Sequence, residues 1–152
     1  MKGLFQKCFY NGLFKSFLAV GLILSVLIGL CACGGGYVSS YKAVGLVRSN
    51  TSHSCEASFY SLEGTLVFKL KKTDGAEGEI SYSVAAEDGE ISLYYDIYGT
   101  KEQLVTVKAG DTAEGKGGYV EGGKQVYIII EASKKSRGRV SVEIAKKSWE
   151  KW

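Results

Sequence analysis

Apolar residues change their spacing once along the 152-residue chain. Phe17 to Leu30 reads FLAVGLILSVLIGL, a near-continuous run broken only by Gly21, Ser25 and Gly29. From Ser54 onward they recur at every second position. Cys55, Ala57 and Phe59 alternate with Ser54, Glu56 and Ser58; Leu66, Phe68 and Leu70 with Thr65, Val67, Lys69 and Lys71. Ile80, Tyr82 and Val84 follow the same rule, as do Ile91, Leu93, Tyr95 and Ile97. Period-two alternation sets one face of an extended strand against a core and the other toward water.

Leu104 to Lys108 is a further candidate strand, and Arg139 to Ala145 alternates again with Val140, Val142 and Ile144 inward. Gln125 to Ala132, QVYIIIEA, is apolar on both parities, which predicts a central strand. Lys42 to Arg48 is a weaker candidate for a first, edge strand. Asp74-Gly75 and Asp88-Gly89 are placed to supply the positive φ angles of tight hairpins, and Lys134 to Gly138 reads as a polar turn. About seven or eight short strands at this spacing predict an all-β fold, an antiparallel β-sandwich of jelly-roll or immunoglobulin-like order. The Cys…Trp…Cys spacing of a true immunoglobulin domain is missing, and no helix is expected beyond a turn at Lys146 to Trp152.

The amino-terminal run obeys different physics. Lys2, Lys7 and Lys15 precede it, and residues 1–33 hold no Asp or Glu. A basic segment followed by an apolar one keeps the amino end in the cytoplasm. Fourteen residues fall short of the roughly 20 that cross a bilayer but match the roughly 7–15 of a signal h-region. An uncleaved anchor, extended through Leu13, Phe14 and Cys31 to Cys33, is the competing reading. A cut after Ala32 by ordinary signal peptidase would set bulky Leu30 where a small residue is needed.

Leu30-Cys31-Ala32-Cys33 resembles the lipobox of bacterial lipoproteins, and the resemblance covers residues 1–33 only. It implies a diacylglycerol on the Cys33 thiol, cleavage before Cys33, and often acylation of the new amino terminus. Each buried CH₂ of such chains contributes about 0.8 kcal/mol, and two or more chains give a stable anchor. The implied partner is thus a lipid bilayer, and the implied address is the extracytoplasmic side of a cell membrane or outer membrane. Gly34 after Cys33 implies the outer membrane in a Gram-negative host. The expected division is a signal peptide (1–32), then lipidated Cys33 with a Gly34-Gly35-Gly36 tether and edge strand (33–53), the sandwich (54–145) and a tail (146–152).

Composition refines this. Residues 1–33 carry three of the 19 basic side chains and none of the 16 acidic ones, so the 119 residues left (152 less 33) hold 16 of each. A neutral domain gives no case for nucleic acid. Cys8 and Cys31 leave with the signal and Cys33 is acylated, so Cys55 has no partner for an internal disulfide.

Candidate chemistry is sparse. Gly118 to Gln125 approaches a phosphate loop, but Gln125 stands where the Mg²⁺-binding hydroxyl belongs and a strand follows instead of a helix. The surrounding glycine-rich segment, Gly115 to Lys124 with Tyr119 on it, is expected to be a mobile loop and a candidate wall of a binding site. His53 and Cys55 share one side of a strand, but no second histidine exists, and parity with Ala57 points to a buried, inert thiol. Tyr94, Asp96 and Tyr98 are expected on the outer face of one strand, where rings stack on pyranose faces and a carboxylate accepts hydroxyl hydrogen bonds. Trp149 and Trp152 at the carboxyl end are candidates for partner docking.

The expected function is a surface lipoprotein carrying a non-catalytic binding module for a glycan or a protein. It needs no cofactor apart from the acyl lipid on Cys33, and no metal. The alternative is an accessory subunit of an envelope assembly, docked through Trp149 and Trp152. A hydrolase has the least support.

Overall fold

The computed structural model describes residues 36–71 and 77–146. Asp74-Gly75, the segment ending in Cys33, and the tail with Trp149 and Trp152 lie outside the described residues. Seven strands follow in order: β1 (Ser40–Val44), β2 (Val47–Asn50), β3 (Ser54–Lys71), β4 (Gly78–Asp96), β5 (Glu102–Lys108), β6 (Thr112–Val120) and β7 (Gln125–Lys146). All pairings are antiparallel, in the order β1-β3-β7-β4-β5, with β2 also on β3 and β6 also on β4.

The strands β3, β4 and β7 run to 18, 19 and 22 residues, which corrects the expectation of uniformly short strands. At about 3.3 Å per residue a straight β7 would reach about 70 Å, whereas a domain near this size has a radius of gyration of about 13 Å. The strands must therefore double over. Each does so at a break in register: β3 between Phe59 and Gly64, β4 between Ala86 and Glu90, β7 between Ala132 and Ser136.

Two layers result. The first holds β2, the start of β3, the end of β7, the start of β4, and β6. The second holds β1, the end of β3, the start of β7, the end of β4, and β5. Counted as half-strands, this is the order of a jelly roll with β1 and β2 added at the edges, which decides between the two expected topologies.

Inward residues of both layers form one core. It includes Ala57, Leu62, Leu66, Leu70, Ile80, Val84, Ile91, Leu93, Ile128, Ile130 and Val140, each at most 1% exposed. The inward parity of β3 switches from Cys55, Ala57 and Phe59 to Leu62, Leu66 and Phe68 across its break, because the bulge consumes one residue. Ile129 is also buried, on the opposite face of central β7 between Val67 and Tyr94.

Three further expectations change. Asp88-Gly89 is a bend inside β4 and not a hairpin, with Gly89 at φ +75° and its N–H bonded to Asp88 Oδ1 at 2.8 Å. Lys134 to Gly138 bends β7 without reversing it. The glycine-rich Gly115 to Lys124 segment is strand β6 followed by a tight turn closed by Lys124 N–H on Glu121 O at 3.1 Å. Two of its glycines are explained by close packing, Gly118 across the layers and Gly115 against its partner residue on β4. A Cβ on Gly118 would stand 2.9 Å from the Tyr95 ring, and one on Gly115 would stand 2.5 Å from the Tyr82 hydroxyl.

The domain also begins earlier than residue 54. Besides β1 and β2, Tyr37 packs edge-on to Tyr127, with ring centroids 5.4 Å apart, and Ser39 Oγ accepts the Val67 N–H at 2.9 Å. The folded domain thus starts by Tyr37.

Candidate functional site

At one end of the fold β4 leaves the core and passes through residues 97–101 into β5, while β6 turns into β7 through residues 121–124. Between these connections lies a cleft of about 330 Å³ lined by Tyr95, Ile97, Tyr98, Thr100, Glu102 and Tyr119. Its size falls at the lower end of ordinary small-molecule sites, about 300–1,000 Å³. Tyr98 is 65% exposed and Tyr119 40%, so both rings remain open to solvent.

Local structure fixes each ring. The Tyr95 ring rests over Gly118, and its hydroxyl donates to Glu102, the residue opposite it on β5. That bond to a carboxylate, followed by burial, pushes the Tyr95 phenol up to about 12. The Tyr119 hydroxyl bonds Glu77, which likewise raises it to about 12. Tyr98 is raised too, first by desolvation and then by the charge of Glu121. All three phenols therefore stay protonated donors through neutral pH. Lys124 Nζ stands 5.9 Å from the Tyr98 ring centroid, the outer limit of a cation–π contact.

The structure separates the sequence-derived site residues. It brings Tyr98 and Tyr119 together, although they lie on different strands' ends. Tyr94 stands elsewhere, beside a 370 Å³ hollow with Thr65, Ser92 and Glu131, and Lys101 Nζ caps its ring at 4.0 Å from the centroid. Asp96 is 3% exposed, which corrects its expected place on the outer face. Its Oδ2 accepts the Tyr37 hydroxyl at 2.7 Å and its Oδ1 the Gly99 N–H at 2.6 Å. A carboxylate this buried and bonded shapes the 97–101 connection from within instead of meeting a ligand. Cys33, Trp149 and Trp152 fall outside the described residues.

Tyr95, Ile97, Thr100 and Glu102 were missed. Tyr95 and Ile97 carry inward parity and read as core; they line the cleft because the core ends at that height. The signal was present in the short 97–101 connection, which implies a β4–β5 hairpin and so the Tyr95–Glu102 pair.

Other candidates are weaker. A groove of about 480 Å³ opens outside the bend, but Arg137 covers the Tyr60 ring at 4.4 Å while its Nε binds Glu87 at 2.7 Å. Burial pushes the Cys55 thiol up to about 12, the opposite of an activated nucleophile, and His53 Nδ1 meets Ser52 Oγ at 3.3 Å. Among the described residues no group of His, Cys, Asp or Glu side chains is placed to hold a metal.

No protein-family model matches the sequence, and no curated protein matches it. Among solved structures, a family 29 carbohydrate-binding module complexed with mannohexaose is 12% identical over 72% of this chain and 79% of its own, with a TM-score of 0.39. A family 61 module in complex with β-1,4-galactotriose is 13% identical over 65% and 66%, with a TM-score of 0.34. A ruminal endo-β-1,4-mannanase is 13% identical with a TM-score of 0.40; the match takes 60% of this chain and spans 20% of the mannanase. Likeness of this size transfers neither ligand nor activity.

Proposed function

We propose that this chain is a lipid-anchored, non-catalytic module that binds a glycan in the Tyr98–Tyr119 cleft. The observation that carries the reading is the pair of solvent-open tyrosine rings brought to one cleft from separate strand ends. Phenol rings offer flat apolar surface for a sugar's C–H face, and the Glu102 carboxylate beside them accepts hydroxyl hydrogen bonds. A mostly apolar and aromatic wall with few polar groups is the usual make-up of a small-ligand site. Burial raises the Cys55 thiol, which speaks against a cysteine nucleophile. The lipobox at Cys33 supports an extracytoplasmic address, where glycans are abundant.

The test is a glycan array probed with the purified full chain in detergent, followed by titration of the best oligosaccharide. Tyr98→Ala and Tyr119→Ala should each weaken binding about tenfold or more, the cost of losing an aromatic anchor. Their circular dichroism should match wild type, since neither ring belongs to the buried core. Folded wild type that retains no oligosaccharide, or variants that bind as well as wild type, would overturn the reading.

A further inference from the structure

If the cleft takes a glycan, as proposed above, its charge decides which. Glu102 lines it directly, with one carboxylate oxygen bonded to the Tyr95 hydroxyl. Glu77 bonds the hydroxyl of Tyr119, and Glu121 that of Tyr98. Three carboxylates therefore surround the two exposed rings, and among the described residues the Lys124 ammonium stands 5.9 Å from the Tyr98 ring centroid. A carboxylate offers about four acceptor sites, so one tyrosine bond leaves each able to accept again. The rings define the cleft and the carboxylates discriminate among sugars that fit it.

We propose that the cleft prefers glycans bearing a free, protonated amine over their N-acetylated counterparts, and excludes uronates. An ammonium offers three donors and a positive charge to acceptors already held in place by tyrosines. An acetamido group at the same position brings no charge, and a uronate carboxylate meets like charges. The sites are open to water, so the attraction is that of partly screened charges and weakens with salt.

The experiment uses the full chain in detergent at about pH 6, where a sugar amine is protonated. Its probes are three oligomers of matched length: glucosamine, N-acetylglucosamine and galacturonate. At about 20 mM salt the glucosamine oligomer should bind about tenfold more tightly than the acetylated one, and the preference should shrink to about twofold at about 0.5 M salt. Galacturonate should bind more weakly than either. Glu102→Gln with Glu121→Gln should bring the affinities for the first two oligomers to a ratio near one, whatever the variant costs in affinity for both. Should the double variant misfold, the salt dependence of wild type still decides the matter. An acetylated or galacturonate oligomer bound as tightly as the amine form, or a preference indifferent to salt, overturns the inference and leaves glycan binding standing. Failure of every oligomer, here and on the array, overturns both.

Discussion

One side-chain pair shows how a residue expected at the surface becomes part of the frame. Asp96 sits on the parity that faces outward along β4, yet Tyr37, arriving from 59 positions upstream, covers it and donates to it at 2.7 Å. That hydrogen bond, with burial and the Asp96 charge adding to it, raises the Tyr37 phenol to about 12 from about 10 in the unfolded chain. A folded-state value above the unfolded one adds stability that is whole below about pH 10 and is lost as pH climbs through about 12. Tyr37→Phe should thus cost about 1 kcal/mol near neutrality, a modest figure because the ring is partly exposed. The gap between wild type and variant, followed by urea unfolding at about pH 8, 10.5 and 12, should close at the highest pH. A gap of unchanged size there would mean that ring packing on Tyr127, and not the hydrogen bond, is what the substitution removes.

At the scale of elements the folded-over strands are the decisive feature, and Ser136 pins two of their bends together. It is fully buried at 0% exposure; its Oγ accepts the Glu90 N–H of β4 at 3.1 Å and donates to the Ser133 carbonyl at 2.7 Å. Gly89 lies against it so closely that a Cβ there would stand 2.3 Å from the hydroxyl oxygen. Ser136→Ala leaves a part-buried backbone donor and acceptor without that partner and should cost about 1–2 kcal/mol. Ser141→Ala, exposed on the same strand, should stay within about 0.5 kcal/mol. A shift in urea midpoint at constant slope reads the difference, and equal midpoints for the two variants would remove Ser136 from this role. Local pattern pointed at both bends, since Asp88-Gly89 and Lys134 to Gly138 interrupt the alternation. Whether an interruption reverses a strand or only bends it depends on the hydrogen bonds of the strands alongside, and those neighbours come from far along the chain.

Over the whole molecule, the β domain and the proposed anchor are separate pieces of physics. Acyl chains would hold the domain to a bilayer through one sulfur atom, with Tyr37 already packed on the sheet a few residues later. Intact-mass analysis of the membrane fraction should find wild type lacking residues 1–32 and carrying added lipid mass on Cys33. Cys33→Ala should keep those residues and carry no lipid. Wild type that retains Met1 with an unmodified thiol at Cys33 would leave the apolar run as an uncleaved anchor. The amino-acid sequence by itself determined the all-β class, the inward-facing residues of nearly every strand, the central place of QVYIIIEA and the inert burial of Cys55. These are properties of local alternation and of side-chain solubility, which each stretch carries wherever it packs. Tertiary structure alone decided that three folded strands build a jelly roll with β5 and β6, that Asp96 goes under Tyr37, and that Tyr98 meets Tyr119 while Tyr94 is capped by Lys101. Each of those outcomes depends on which distant segment arrives alongside, and pairing between distant segments is settled by the closure of the core as a whole.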